Sequence, residues 1–305
     1  MGLFHWLFRR KKRRTPLTWK RTMPPPNVPH DYLDEDGRRH RGDAPYLLPK
    51  DDQEIQRLDY QHFILRHLLK GNSLAPVHDL LMRESHVLDV GCGTGRWGHE
   101  IAVAYPQAHV VGLDLEDIPR TASTPLNYHF SHGNVLQGLP FPSHSFQYVH
   151  QRLLVAAIPL DKWPWVIGEL RRVTRPGGWI ELVEMGNTFH QAGPATNQFL
   201  AWWVAIGASR GIDASNMSQL GVLLKHGGLF NVRSETKIIP VGNWGGRVGT
   251  LLAQDMLAGW PSMRPLAHSL LGVPPEAFDA VIGRLAAEWN SYRTSYEVYF
   301  ACGQA

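Results

Sequence analysis

The 305-residue sequence predicts an α/β fold, a mostly parallel sheet with helices on both faces, and three observations carry that reading. Val87, Leu88 and Val90 form a short apolar run that meets Gly91-Cys-Gly93-Thr-Gly95, after which an amphipathic stretch begins near Arg96. That is a buried strand, a glycine turn and a helix. Val110 to Leu113 form a second such run, ending at Asp114, 25 residues beyond Asp89. Further on come Gly133-Asn134-Val135, the polar turn around Leu139-Pro140-Phe141-Pro142, and the strand-like Ser145 to Val149. The order strand, acid, strand, turn, strand suits a parallel sheet with crossover helices.

The glycine turn is the most informative element. Gly91, Gly93 and Gly95 lack Cβ, so the backbone can take positive φ and a ligand can lie against it at a helix N-terminus. Gly93, Gly95 and Gly98 also satisfy the G-x-G-x-x-G spacing of dinucleotide folds. Asp89, two residues before the first glycine, argues against that ligand, because a carboxylate there repels a pyrophosphate and attracts an ammonium or sulfonium group. Asp114, at a strand tip, is placed to take two ribose hydroxyls.

These residues, with Arg172-Val-Thr-Arg175-Pro176-Gly177-Gly178 before the strand Trp179 to Val183, make residues 87 to about 184 resemble a class I S-adenosylmethionine (SAM) dependent methyltransferase. The resemblance implies a Rossmann-like, seven-stranded, mostly parallel sheet with an antiparallel last strand, and SAM as cofactor. It places Gly91, Cys92, Gly93 and Gly95 under the cofactor and Asp89 near its methionine end. Asp114 and Leu115 would meet the ribose, and Asn134 and Val135 the adenine. Asn134 and Gln147 stand where relatives commonly carry Asp; the Asn134 side-chain oxygen can still accept from the adenine amino group.

Before the sheet, Asp51 with Glu54 resembles a capping box, Ile55, Leu58, His62, Leu65 and Leu69 recur at helical spacing, and Gly71 is expected to end the helix. Tyr46-Leu-Leu-Pro-Lys-Asp, Arg57-Leu-Asp59 and Gln61-His62 resemble the N-terminal segment of the LaeA-like methyltransferases of fungal secondary metabolism, a likeness continued by Gly227 to Val232 and Ile239 to Trp244. It implies a helical cap over the cofactor and makes Tyr46, Arg57 and His62 candidate contacts. The expected organisation is a tail and linker over 1–45 and one domain over 46–305. That domain comprises a cap (46–85), a SAM-binding core (86–184), an acceptor-site insert (185–230) and C-terminal strands and helices (231–305). Strands are expected at Val232 to Ile239 and Tyr296 to Cys302.

Removing a proton from an acceptor needs a base, and His150, His190 and Glu184, near the exits of the fourth and fifth strands, are the candidates. His150 also sits where cofactor or acceptor contacts occur in this family, and Arg152 is a second residue at that exit. Phe189, Phe199, Trp202, Trp203, Trp244 and Trp260 follow Glu184, and the apolar helix Ala195 to Ala208 is expected to roof a pocket for a small, hydrophobic or aromatic methyl acceptor. A SAM-binding regulatory protein with little turnover is the alternative.

Composition narrows the classes further. Residues 1–21 hold eight Lys or Arg and no acid, leaving 23 basic against 27 acidic residues elsewhere, so the net +4 belongs to the tail and no general nucleic-acid surface is expected. The body also lacks the Asn/Asp-Pro-Pro-aromatic motif of nucleic-acid amino methylation, having His150-Gln151-Arg152-Leu153 instead. Leu3, Phe4, Trp6, Leu7 and Phe8 beside the cations Arg9 to Arg14 suit either peripheral contact with an anionic inner membrane surface by an otherwise cytoplasmic protein or a disordered, solvated start with no partner. Two cysteines 210 residues apart, Cys92 and Cys302, argue against a disulfide framework or a zinc site.

Overall fold

The computed structural model describes residues 31–42, 44–117 and 121–305. The membrane contact expected of residues 2–14 therefore lies outside the described residues. No described helix is long and apolar enough to cross a membrane.

A short hairpin, β1 (Asp31–Leu33) and β2 (Arg39–Arg41), precedes helix α1 (Asp52–Leu69) and the short α2 (His78–Leu81). The sheet begins with β3 (Ser85–Val90), α3 (Arg96–Ala104), β4 (Ala108–Asp114), β5 (Tyr128–His132) and β6 (Phe146–Arg152). It continues through α4 (Trp163–Val173), β7 (Thr174–His190), α5 (Pro194–Ala208), α6 (Leu220–His226) and β8 (Phe230–Pro240). Helices α7 (Gly246–Gly259), α8 (Arg264–Leu271) and α9 (Pro275–Tyr292) lead to β9 (Ser295–Gln304).

Seven strands run in the order β5-β4-β3-β6-β7-β9-β8. Only β9 opposes the others in direction, and it lies between β7 and β8, which leaves β8 at the edge. Neighbouring residues of each central strand feed opposite layers. Leu88, Val111 and Val149 pack with α4 and α6 on one face. Val87, Val110 and Tyr148 pack with Trp97 and Ile101 of α3 on the other. Strands buried on both sides read as continuous apolar runs, which is why periodicity located them. A third apolar cluster joins α1, α5 and α7–α9 over the ends of β7, β8 and β9.

Three expectations change at the N-terminal side. Residues 31–41 are a hairpin and not linker: Arg41 donates to the Leu115 carbonyl at 2.8 Å and to Glu116 at 2.6 Å, clamping the hairpin to the tip of β4. The Asp51 cap forms, accepting from the Glu54 N–H at 3.1 Å, but the left-handed residue that ends α1 is Lys70 (φ 53°), one position before Gly71. The buried face of α1 keeps His62 and Leu65 of the expected stripe but is wider than it. Glu54, Arg57, Gln61 and Ile64 face inward while Ile55 is half exposed, because the charged residues meet a partner on α7.

Candidate active site

The glycine loop leaves β3 with Gly91, Gly93 and Gly95 at φ 67°, 53° and 73°. The Gly91 and Cys92 N–H groups donate to the Leu113 carbonyl at 2.8 and 3.1 Å, drawing the loop against the end of β4. Gly93 N–H donates to Asp114 Oδ2 at 2.8 Å, and Glu116 N–H to Asp114 Oδ1 at 3.0 Å. Each carboxylate oxygen retains a second acceptor site, so Asp114 can still receive two hydroxyls. A Cβ on Gly91 would sit 2.5 Å from Leu154. Gly91→Ala is therefore expected to cost about 2 kcal/mol from the left-handed backbone alone and to weaken cofactor binding further. Paired denaturation and SAM titrations check this; an unchanged melting temperature would contradict the loop geometry.

Asp89 is buried beneath the loop. Its Oδ1 lies 3.0 Å from His150 Nδ1, its register partner on β6. Oδ2 has no hydrogen-bond partner among the described residues. Cys92 is also buried, and desolvation, reinforced by Asp114 and Asp89, holds its thiol well above the ordinary range. Val135 is buried, while the Asn134 side-chain oxygen accepts from the Leu136 N–H at 2.9 Å and caps a short turn. That oxygen, expected on the adenine, thus has a local duty and one remaining lone pair.

α1 covers the loop. Leu58 approaches within 3.4 Å of the position a Gly93 Cβ would take. Leu58 also lines a cavity of about 130 Å³, close to the ~150 Å³ of an apolar cavity that admits benzene. Tyr46, Arg57, Leu153, Met185, Trp203 and Trp260 are among its other walls. It sits past the end of β6 and along the C-terminal part of β7, the side of an open α/β sheet where ligands bind.

None of the three expected bases lines this cavity. His150 is buried and stacked on Trp97 with ring centroids 3.9 Å apart. The carboxylate of Glu184 accepts the Leu154 and Val155 N–H groups at 3.0 and 3.1 Å and fixes the loop after β6. Burial pushes that carboxyl up to about 8, against the pull of the two N–H groups. His190 lies 2.7 Å from Glu297 at the far end of β7. His62 also stays outside: its Nδ1 meets Arg152 at 3.0 Å, and its Nε2 lies 3.1 Å from Glu100 without a well-aligned hydrogen bond. Desolvation and the Arg152 charge push His62 down to about 4.

What the sequence reading missed is a buried ion network. Arg57 donates to Glu54 at 2.7 Å and to Asp255 of α7 at 2.9 Å, and Gln61 donates to Asp255 at 3.1 Å. Gly259 leaves room for Arg57, since a Cβ there would come within 3.0 Å of its Cδ. Burial pushes the Asp255 carboxyl up to about 6, against the opposing pull of Arg57. Helix α7 and the adjoining Trp260 therefore line the cavity together with α5, so the cavity extends well beyond residues 185–230. The 54-57-61 spacing was the available signal for the inward face of α1.

The residues present fit SAM. Bare left-handed glycines, an acid at the tip of the next strand, a buried carboxylate oxygen without a donor and a covering helix match a ligand with a ribose, an ammonium and a sulfonium. Residues 87–178 match the family described as methyltransferase domain. Residues 87–178 thus carry a methyltransferase domain.

The chain is 35% identical over 137 residues to methyltransferase str2 of Strobilurus tenacellus, covering 45% of this chain and 48% of that protein. It is 26% identical to N-methyltransferase verN of Clonostachys rogersoniana over 82% of this chain and 89% of that one. It is 30% identical to the secondary metabolism regulator laeA of Coprinopsis cinerea, over 65% of this chain and 53% of that one. The chain thus spans about half the length of some of these relatives and nearly all of another. Among solved structures, Haemonchus contortus phosphoethanolamine N-methyltransferase 2 in complex with SAM aligns at 15% identity and a TM-score of 0.45, over 81% of this chain and 57% of that one.

Proposed function

We propose that this protein transfers a methyl group from SAM to a small hydrophobic metabolite held in the cavity beside the glycine loop. The observation that carries the reading is the joint between the two sites. Leu58 touches the glycine loop and the cavity at once, and Leu154, which packs on Gly91, lies between the cavity residues Leu153 and Val155. Bound SAM supplies an electrophilic methyl group on sulfur. The chain supplies proximity: Asp114 and the glycine loop would anchor the cofactor, and the aromatic walls would exclude water and orient the acceptor. Holding both partners at attack distance is worth about 7–11 kcal/mol in favourable cases.

Some relatives are named methyltransferase or N-methyltransferase and others secondary metabolism regulator laeA. That makes a SAM-binding regulator with little turnover the competing reading. Incubating the full chain with SAM and a panel of hydrophobic metabolites, and following S-adenosylhomocysteine release with a matched gain of one methyl group by mass spectrometry, separates the two. Product formation supports the enzyme. Tight SAM binding with no product across the panel favours the regulator.

A further inference from the structure

The polar part of the cavity describes the head group of its ligand. Gln61 lines the cavity and is more than nine-tenths buried, yet its Oε1 has no donor among the described residues. Its amide cannot turn over to cure this, because Nε2 is committed to Asp255 Oδ2 at 3.1 Å. Beside it, Glu54 and Asp255 place two buried carboxylates against the single guanidinium of Arg57. Arg38, whose charge also reaches Glu54, is held in a bidentate pair by Asp51. The ionised cluster thus carries one excess negative charge, which is costly in an apolar surround unless a cation joins it. The walls around it are aromatic, with Phe189, Trp203, Trp260 and Tyr296 among them, and aromatic faces attract cations.

Resting on the methyl-acceptor role of this cavity, we propose that its ligand is a hydrophobic primary or secondary amine that enters as the ammonium, with Asp255 and Gln61 receiving its N–H groups. An ammonium brings at least two donors and the missing positive charge. An alcohol or phenol brings one donor and no charge, and a carboxylate brings no donor and adds repulsion. Nitrogen must then shed a proton to expose its lone pair. Asp255 is the carboxylate that lines the cavity, so the proton passes from nitrogen to Asp255, giving a neutral amine and a neutral acid. The amine nitrogen forms the new N–CH₃ bond as the S–CH₃ bond breaks with its electron pair left on sulfur, and the product is again an ammonium. Asp255 returns its proton to solvent. The elevated affinity of Asp255 for a proton suits that exchange.

The same ammonium chemistry could come from the amino-acid end of SAM, and the test separates the two sources. The full chain is titrated with 2-phenylethylamine, 2-phenylethanol and phenylacetate by calorimetry, with and without S-adenosylhomocysteine, and SAM affinity is measured alongside. The amine is expected to bind at least tenfold more tightly than the alcohol, and the carboxylate more weakly than either. Asp255→Asn should bring the amine down to the level of the alcohol while SAM affinity stays within twofold. Gln61→Met, which keeps the shape and removes the acceptor, should weaken the amine about threefold and spare the alcohol, and it serves if Asp255→Asn does not fold. Equal binding of amine and alcohol, or no amine binding, overturns the proposal. So does a tenfold loss of SAM affinity in Asp255→Asn with the amine preference intact, which would assign the ammonium to the cofactor. Loss of SAM binding by the native chain would instead sink the methyltransferase reading and leave the amine preference to stand or fall on its own ratio.

Discussion

Arg57→Met is expected to lower the free energy of unfolding by about 3–5 kcal/mol, the usual result of removing one partner from a buried ion pair. Arg57 is the shared donor between Glu54 on its own helix and Asp255 on α7, and all three are almost fully buried. Without the guanidinium, two carboxylates face each other across an apolar wall, and α1 loses its polar tie to α7. Urea denaturation followed by circular dichroism measures the loss. Apolar or neutral replacement of the whole triad, as Glu54→Gln with Arg57→Met and Asp255→Leu, should restore most of the stability, since neither charge is then left alone. A loss below about 1 kcal/mol in Arg57→Met, in the range of an exposed pair, would contradict a buried network.

Asp114→Ala is expected to weaken SAM binding by about 1–3 kcal/mol, or roughly five- to 150-fold. The carboxylate does two things at once. It holds the Gly93 N–H, and thereby the shape of the loop, and it presents its remaining acceptor sites at the tip of β4. Titration of the variant against the native chain reads the effect directly, and unchanged affinity would refute the ribose assignment.

The glycine loop and its flanking strands were legible in the sequence because their signals are local. Asp89, the three glycines and Asp114 lie on one strand, one turn and the tip of the next strand, where apolar runs and φ-permissive residues leave an unmistakable order. The cavity was legible in part: Phe189, Phe199, Trp203 and Trp260 were expected beside it and line it, whereas its polar contact joins positions 198 residues apart, Arg57 to Asp255. Nothing near Asp255 on α7 marks it as a wall of a cavity built by α1, α5 and the loop after β6. His150 misled for a geometric reason. It stands in register with Asp89 and stacks on Trp97 within the α3 layer, whereas the cavity walls begin three residues later, at Leu153. Glu184 misled because a buried acid near a strand exit looks like a base until its two backbone partners are seen. For α1, hydrophobic spacing pointed to Ile55, Leu58, His62, Leu65 and Leu69; His62 and Leu65 are buried as expected and Ile55 is not, while the ion network buries Glu54 and Arg57 beside them.

We propose that the glycine loop, Asp114 and the covering helix α1 form a SAM site. Calorimetric titration of the folded full chain with SAM, repeated in the presence of S-adenosylhomocysteine, tests it most directly. Saturable one-to-one binding, competed by S-adenosylhomocysteine and weakened in Asp114→Ala, is the expected result. A well-folded chain that gives no binding heat and no ligand-induced rise in melting temperature would contradict it.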